Sequence, residues 1–280
     1  AALLGGLLGF VFLGTVSSFF LGATVFLALS LVAFRVFKIG IYQFAPKISE
    51  TKAILGQISP FIAIAFLGWL SGYGSNYLIQ GFFAPTEVAR FTFAFTLASI
   101  MQLVASSLNQ VWSPRFFRII REQSADEVEI KNRRFFRWQG IAMGFVGATV
   151  IILFPIVIDL VGGNLIVYRN MHIELTLLFS AYVVLSPWWH AQNYFLVHGE
   201  GGQLMRIVFR TSVIGTAVWL VLMAVLGPIG IYIGFLVQML VRMFGAIRSA
   251  KMRWAITVEW GGVAIGLVLL GLGFSISQSV

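Results

Sequence analysis

The chain has 280 residues, is 59% hydrophobic and only 10% charged, and has a mean hydropathy of +0.93. A water-facing domain is typically about 25% charged, so the composition excludes an ordinary soluble enzyme, a disordered tail and, with no Cys, a secreted disulfide scaffold. The net charge of +9 is not read as a nucleic-acid footprint, because a basic stripe needs a soluble surface to carry it. The fold class expected is all-α, a polytopic membrane helix bundle of about eight transmembrane helices.

A bilayer-spanning helix needs about 20 mostly apolar residues. Runs free of Asp, Glu, Lys and Arg cover 1–34, 54–86, 91–114, 138–158, 175–199, 211–241 and 260–280. No β-barrel alternation of about ten residues appears, and backbone groups in lipid must bond within their own segment. In chain order the helices expected are about 14–37, 56–82, 87–112, 138–161, 173–197, 204–226, 229–250 and 257–277. The first is preceded by a stub. Ala84-Pro85-Thr86 makes a turn, with Thr86 as N-cap of the third helix and Glu87 in its first turn. Leu226-Gly227-Pro228 stops one helix and restarts the next. Ser124-Ala125-Asp126-Glu127 has capping-box spacing. It predicts that the third helix projects as Arg115–Glu122, that the fourth begins near Ser124, and that the two form a hairpin outside the membrane. The chain begins with Ala inside an apolar run, with no basic region ahead of it, which reads as a fragment or a processed chain.

Loops rich in Lys and Arg stay in the cytoplasm. Arg35, Lys38, Lys47 and Lys52 follow the first helix. Arg115 to Arg137 follow the third, Arg206 and Arg210 the fifth, and Arg242 to Arg253 lie at or after the end of the seventh. All the Lys and Arg except Arg90 and Arg169 therefore fall on one side, and the alternation supports the helix count as well as the orientation. Topology and contact with anionic membrane lipids account for most single loop arginines.

No nucleophile, P-loop or metal motif is present, so no catalytic residue, metal site or cofactor is expected. His190, after Trp188 and Trp189, is either packed or a hydrogen-bonding and proton site. Intramembrane polar groups are expensive and face partner helices or a cavity. The deep amides are Asn76 and Gln80, which share a face, Gln102 and Asn109, Gln192 and Asn193, and Gln238. Arg210 and Arg242 each lie within a turn or two of a helix end, where they either snorkel to the interface or bind an anion in a cavity. Asp159 and Glu259 lie near helix ends, so no carboxylate sits at a helix centre. That argues against ion-coupling chemistry.

The stretch Gly72-Tyr73-Gly74-Ser75-Asn76-Tyr77-Leu78-Ile79-Gln80-Gly81-Phe82, then Glu87-Val88-Ala89-Arg90-Phe91, resembles polysaccharide flippases. So do Ala105-Ser106-Ser107-Leu108-Asn109-Gln110-Val111-Trp112-Ser113-Pro114-Arg115-Phe116-Phe117 and Gly227-Pro228-Ile229-Gly230-Ile231-Tyr232-Ile233-Gly234-Phe235. These flippases are the O-antigen and capsule repeat-unit transporters of the multidrug/oligosaccharidyl-lipid/polysaccharide exporter superfamily. The resemblance covers roughly 45–253 and concerns a C-terminal portion. It implies three parts. Residues 1–40 would hold the last helix of a missing first lobe, 41–255 a six-helix second lobe, and 256–280 an additional transmembrane helix.

It further implies a transporter, not an enzyme, in the bacterial inner membrane. Alternating access would carry a polyprenyl-diphosphate-linked oligosaccharide from the inner to the outer leaflet for surface polysaccharide biosynthesis, next to the polymerase machinery. The pyrophosphate would need arginines for forked, charge-assisted bonds. The candidates are Arg210, Arg242, Arg90 and Arg115, in that order. Asn76, Gln80 and Asn109 would bond sugar hydroxyls. The Trp188-Trp189-His190 segment would stack on sugar rings or anchor its helix. The alternatives are a cation-coupled drug antiporter of the same superfamily, a membrane-embedded glycan polymerase or ligase, and a structural membrane subunit.

Overall fold

The computed structural model describes residues 48–72 and 74–279. The expected helix at 14–37, with its stub, lies outside the described residues. The description below concerns the compact unit from Gln57 onwards. Every regular element among the described residues is helical: α1 (Ile48–Ser71), α2 (Ser75–Gln80), α3 (Pro85–Glu122), α4 (Ala125–Val161), α5 (His172–Val184), α6 (Ser186–Val197), α7 (Gly201–Leu226), α8 (Ile229–Lys251) and α9 (Trp260–Ser277), with a short 3₁₀ turn at Gly163–Tyr168. Among the described residues, six helical stretches are long and apolar enough to cross a membrane: Ile58–Gln80, Pro85–Glu122, Ala125–Val161, Gly201–Leu226, Ile229–Lys251 and Trp260–Ser277.

The outward faces suit lipid. Leu160 is 81% exposed, Val225 74% and Phe145 64%, a cost in water that disappears against hydrocarbon. The interior is apolar too. It centres on Phe91, Phe95, Trp219, Tyr232 and Phe235, whose rings meet at 5.5–6.0 Å between centroids.

Two segments expected as single helices are interrupted. The stretch 56–82 breaks after Ser71, where Gly72 and Gly74, both poor helix formers, come two residues apart. The Ser75 hydroxyl donates to the Gly72 carbonyl as the helix restarts. The stretch 173–197 breaks at Leu185, because Pro187 has no N–H to carry the helical ladder across the junction. In contrast, α3 and α4 run on past the apolar stretches into the basic segment. Ser124 caps α4 by accepting the Glu127 N–H at 3.4 Å, as the capping-box spacing implies. At 38 and 37 residues these two helices are each about 55 Å long at 1.5 Å per residue, well over a hydrocarbon core of about 30 Å. Their hairpin end therefore stands clear of it.

The Gly227-Pro228 turn is where expected. Gly227 has φ +66°, a left-handed conformation that ends α7 at little steric cost only for glycine. α4 and α9 approach closely. Gly140 and Gly144 of α4 lie against Gly262 and Gly266 of α9, and a Cβ on Gly140 would sit 2.6 Å from the Gly262 carbonyl carbon and oxygen. Small residues at four-residue spacing let the backbones touch. α7 packs along α8, and α8 also meets α5 and α6.

Candidate functional site

A cavity of about 470 Å³ opens among α1, α3, α5, α6, α7 and α8. Each helix contributes one face, as the 3.6-residue period requires. Phe95, Ser99 and Gln102 come from α3; Leu185, Trp188, Trp189 and Gln192 from α6 and the residue before it; Phe235, Met239 and Arg242 from α8. Trp69 and Ser71 come from the end of α1, just before the helix break, and Tyr182 from α5. Phe95 and Phe235 also belong to the aromatic core, so this wall of the cavity is backed by close-packed side chains.

Arg242 supplies the charge. It is partly buried, and its Nη2 donates to Ser212 Oγ at 3.0 Å and to Ser71 Oγ at 3.4 Å. Its Nε is sealed from solvent without a hydrogen-bond partner, and no carboxylate pairs with it among the described residues. With Nη2 given to two hydroxyls and Nε sealed, the two Nη1 N–H groups remain for an anion. The lining offers further polar groups: the Tyr182 hydroxyl donates to Gln102 Oε1 at 3.4 Å, and Ser99 and Gln192 stand nearby. No Asp or Glu lines the cavity among the described residues.

Of the eight candidate residues, the structure brings Arg242 alone to this cavity. Arg210 is exposed on α7, in a groove shared with Arg206 and Arg248. Arg90 is ion-paired with Glu174 at 2.7 Å, tying α3 to α5. Arg115 lies in a second groove, between α3 and α4, with Arg118, Lys131 and Arg134. Asn76 accepts from Thr92 at 3.2 Å. Gln80 is exposed beside a shallow hollow near Pro85 and Val88. Asn109 is buried and accepts from Asn193 Nδ2 at 2.9 Å, while Asn193 Oδ1 accepts from Ser113 at 2.9 Å. These amides join α3 to α6.

His190 faces away from Trp189 and Gln192, and away from the cavity. Its ring stacks on Phe136 at 4.9 Å and 7°, and its Nε2 lies 3.6 Å from Glu129 Oε2. Glu129 also accepts from the Tyr194 hydroxyl at 3.2 Å and from the Thr257 N–H at 2.8 Å. One face of α6 thus lines the cavity while the opposite face carries a buried polar web to α3, α4 and the segment before α9.

The cavity residues outside those eight had partial signals. Gln102 and Gln192 stand out in sequence as deep amides, and Trp188 and Trp189 as a tryptophan pair. Ser71, Trp69 and Tyr182 carry no signal that separates them from ordinary helix residues.

The charged groups at the basic end differ in their pairing. Glu259, the N-cap of α9, is nearly fully buried. It accepts from Arg137 Nε at 3.0 Å and Arg133 Nε at 3.4 Å. Burial raises its pKa, but the hydrogen bonds and positive charges of Arg137 and Arg133 outweigh that and hold the carboxyl below its ordinary value. Arg253 pairs with Glu200, and at the opposite end of α4 Arg169 pairs with Asp159 at 2.8 Å. Comparison of the chain with protein-family models, with curated proteins and with solved structures finds no match.

Proposed function

We propose that this chain is part of a transporter that moves a polyprenyl-diphosphate-linked oligosaccharide from the cytoplasmic to the outer leaflet of a bacterial inner membrane, with about eight transmembrane helices and its basic ends in the cytoplasm. The observation that carries the reading is the cavity lining. Arg242, held by Ser71 and Ser212 through Nη2, offers its Nη1 N–H groups as charged donors to a phosphate oxygen. Trp69, Trp188 and Trp189 offer flat apolar faces, and Gln102, Gln192 and Ser99 offer hydrogen bonds. An anionic group, sugar rings and sugar hydroxyls are the three chemistries such a lining accommodates together. The distribution of Lys and Arg supports the orientation. The resemblance in 72–91 and 105–117 to polysaccharide flippases supplies the class of cargo. On this reading the chain makes and breaks no covalent bond.

The cation-coupled drug antiporter is the less favoured transporter. A cationic cargo calls for a carboxylate, and the described lining has a guanidinium and none. The test is glycan export in cells lacking their own repeat-unit flippase, complemented with the full-length protein. Restored surface glycan, lost again in Arg242→Gln and in a Trp188→Ala/Trp189→Ala double variant at equal membrane abundance, is the expected result. Absent restoration together with proton- or sodium-dependent drug efflux would replace the flippase with the antiporter.

A further inference from the structure

The groove between α3 and α4, at the hairpin end, gathers Arg115 and Arg118 from one helix and Lys131 and Arg134 from the other around about 340 Å³. None of these four forms an ion pair among the described residues, and Glu127, one turn before Lys131, does not reach it. Lys131 bonds only a neutral amide, Gln123 Oε1, at 2.7 Å. The neighbouring cations Arg133 and Arg137, by contrast, both pair with Glu259. Four like charges converging without an acid repel one another unless an anion joins them.

The groove is also built and floored. Trp112 stacks on Phe135 at 4.6 Å and 6°, and its indole N–H donates to Asn132 Oδ1 at 2.9 Å, which locks the two helices beneath the cations. The level matters too. Arg115 follows the charge-free stretch 91–114 directly, and Arg134 precedes the one that begins at 138. The cations therefore sit where an apolar helix leaves hydrocarbon, at headgroup height. Exposed apolar side chains stand nearby on both helices, Val111 on α3 and Ile130 and Trp138 on α4, and they suit acyl chains and the interface.

We infer that this groove is a binding site for the headgroup of an anionic glycerophospholipid, best matched by one that carries two phosphates. Two phosphodiesters set against four cations leave each phosphate with a forked arginine and a second cation. Trp112 and Phe135 lie under the glycerol. The lipid halves the charge of the groove and clamps α3 to α4 at the membrane edge. The site is separate from the cavity and does not depend on the cargo assigned to it.

The test is equilibrium binding of fluorescent cardiolipin to the full-length protein in detergent, with phosphatidylcholine of the same acyl chains as the neutral competitor. Wild type is expected to prefer cardiolipin. Arg118→Gln and Arg134→Gln should each weaken it by about fivefold, the ordinary worth of one cation at an anionic surface. Arg121→Gln, an equal loss of charge on α3 outside the groove, should bind like wild type. Equal weakening in Arg121→Gln would reduce the effect to general surface charge and overturn the site. Displacement by millimolar inorganic phosphate would make it a free-anion site, and preferential displacement by polyprenyl diphosphate would make it a cargo site. Either overturns the phospholipid assignment. The wild-type preference and the competitions stand even if the variants fail to fold, and a wild type with no preference for cardiolipin over phosphatidylcholine sinks the inference.

Discussion

Gly140→Val places a test on the close backbone contact between α4 and α9. A Cβ at this position would lie 2.6 Å from the Gly262 carbonyl, against an ordinary carbon contact of about 3.5–4.0 Å. The α4 and α9 backbones must separate by about 1 Å, and the neighbouring contact of Gly144 with Gly266 opens with them. Overpacking of this kind costs about 1–3 kcal/mol. In a chain of this order of size each kcal/mol shifts the melting temperature by roughly 2–4 °C, so a fall of roughly 2–12 °C is expected. The assay is thermal unfolding of the purified protein in detergent, followed by the loss of the monodisperse peak. Gly271→Ala is the control on the partner helix, α9. It has open space around its Cβ position, and replacing a helix-interior glycine there should stabilise by about 0.5–1 kcal/mol. If Gly140→Val melts at or above the temperature of Gly271→Ala, the α4–α9 backbone contact is wrong.

Three other outcomes are expected. Because the Glu259 carboxyl is held below its ordinary value of 4.5, the unfolded chain binds its proton more readily. The stabilisation by Arg133 and Arg137 is thus complete above about pH 5 and is lost as pH falls through the folded pKa. Wild type should lose stability more steeply than Glu259→Gln between about pH 5 and pH 3 in melting curves, and parallel curves would refute the coupling. A double-mutant cycle of Asn109→Ala with Asn193→Ala should give a coupling of roughly 0.5–2 kcal/mol, the range for interhelical hydrogen bonds in membranes; additivity would place the two amides apart. Arg90→Gln should cost no more than about 1 kcal/mol, since its guanidinium is partly solvated, and a loss of several kcal/mol would mean that the contact is sealed from water.

How much of this was legible in the sequence depends on what kind of signal a membrane chain carries. The charge-free runs near 91–114, 138–158, 211–241 and 260–280, the Gly227-Pro228 turn and the Ser124 cap are local signals, and each appears in the structure as helices, a turn or a cap. The extra length of α3 and α4 was legible from the same cap. The breaks at Ser71 and Leu185 were not. Pro60, Pro114 and Pro155 sit inside unbroken helices, so a proline alone does not separate a tolerated kink from a stop; packing of the neighbouring turns decides. Facing was the largest gap. In a soluble helix the polar face marks the outside, but here the lipid side and the core side are both apolar. Leu160 and Phe235 look alike in sequence, though one faces outward and the other is wholly buried. For that reason the order that put Arg210 ahead of Arg242, both near helix ends, does not hold: Arg210 lies outside the cavity and Arg242 lines it. A heptad step from Phe235 to Arg242 on α8 puts the second in the cavity, and the rotation of α7 puts the first in an outer groove.

The most direct test of the central reading is the affinity of a polyprenyl-diphosphate oligosaccharide for the full-length protein in lipid nanodiscs, measured for wild type, Arg242→Gln and Arg210→Gln. Loss of a charge-assisted bond to a diphosphate is worth about 1.5–3 kcal/mol, so Arg242→Gln should bind roughly 10- to 100-fold more weakly. Arg210→Gln, with its side chain outside the cavity, should match wild type. Equal affinity for wild type and Arg242→Gln would contradict the assignment of the cavity to the diphosphate.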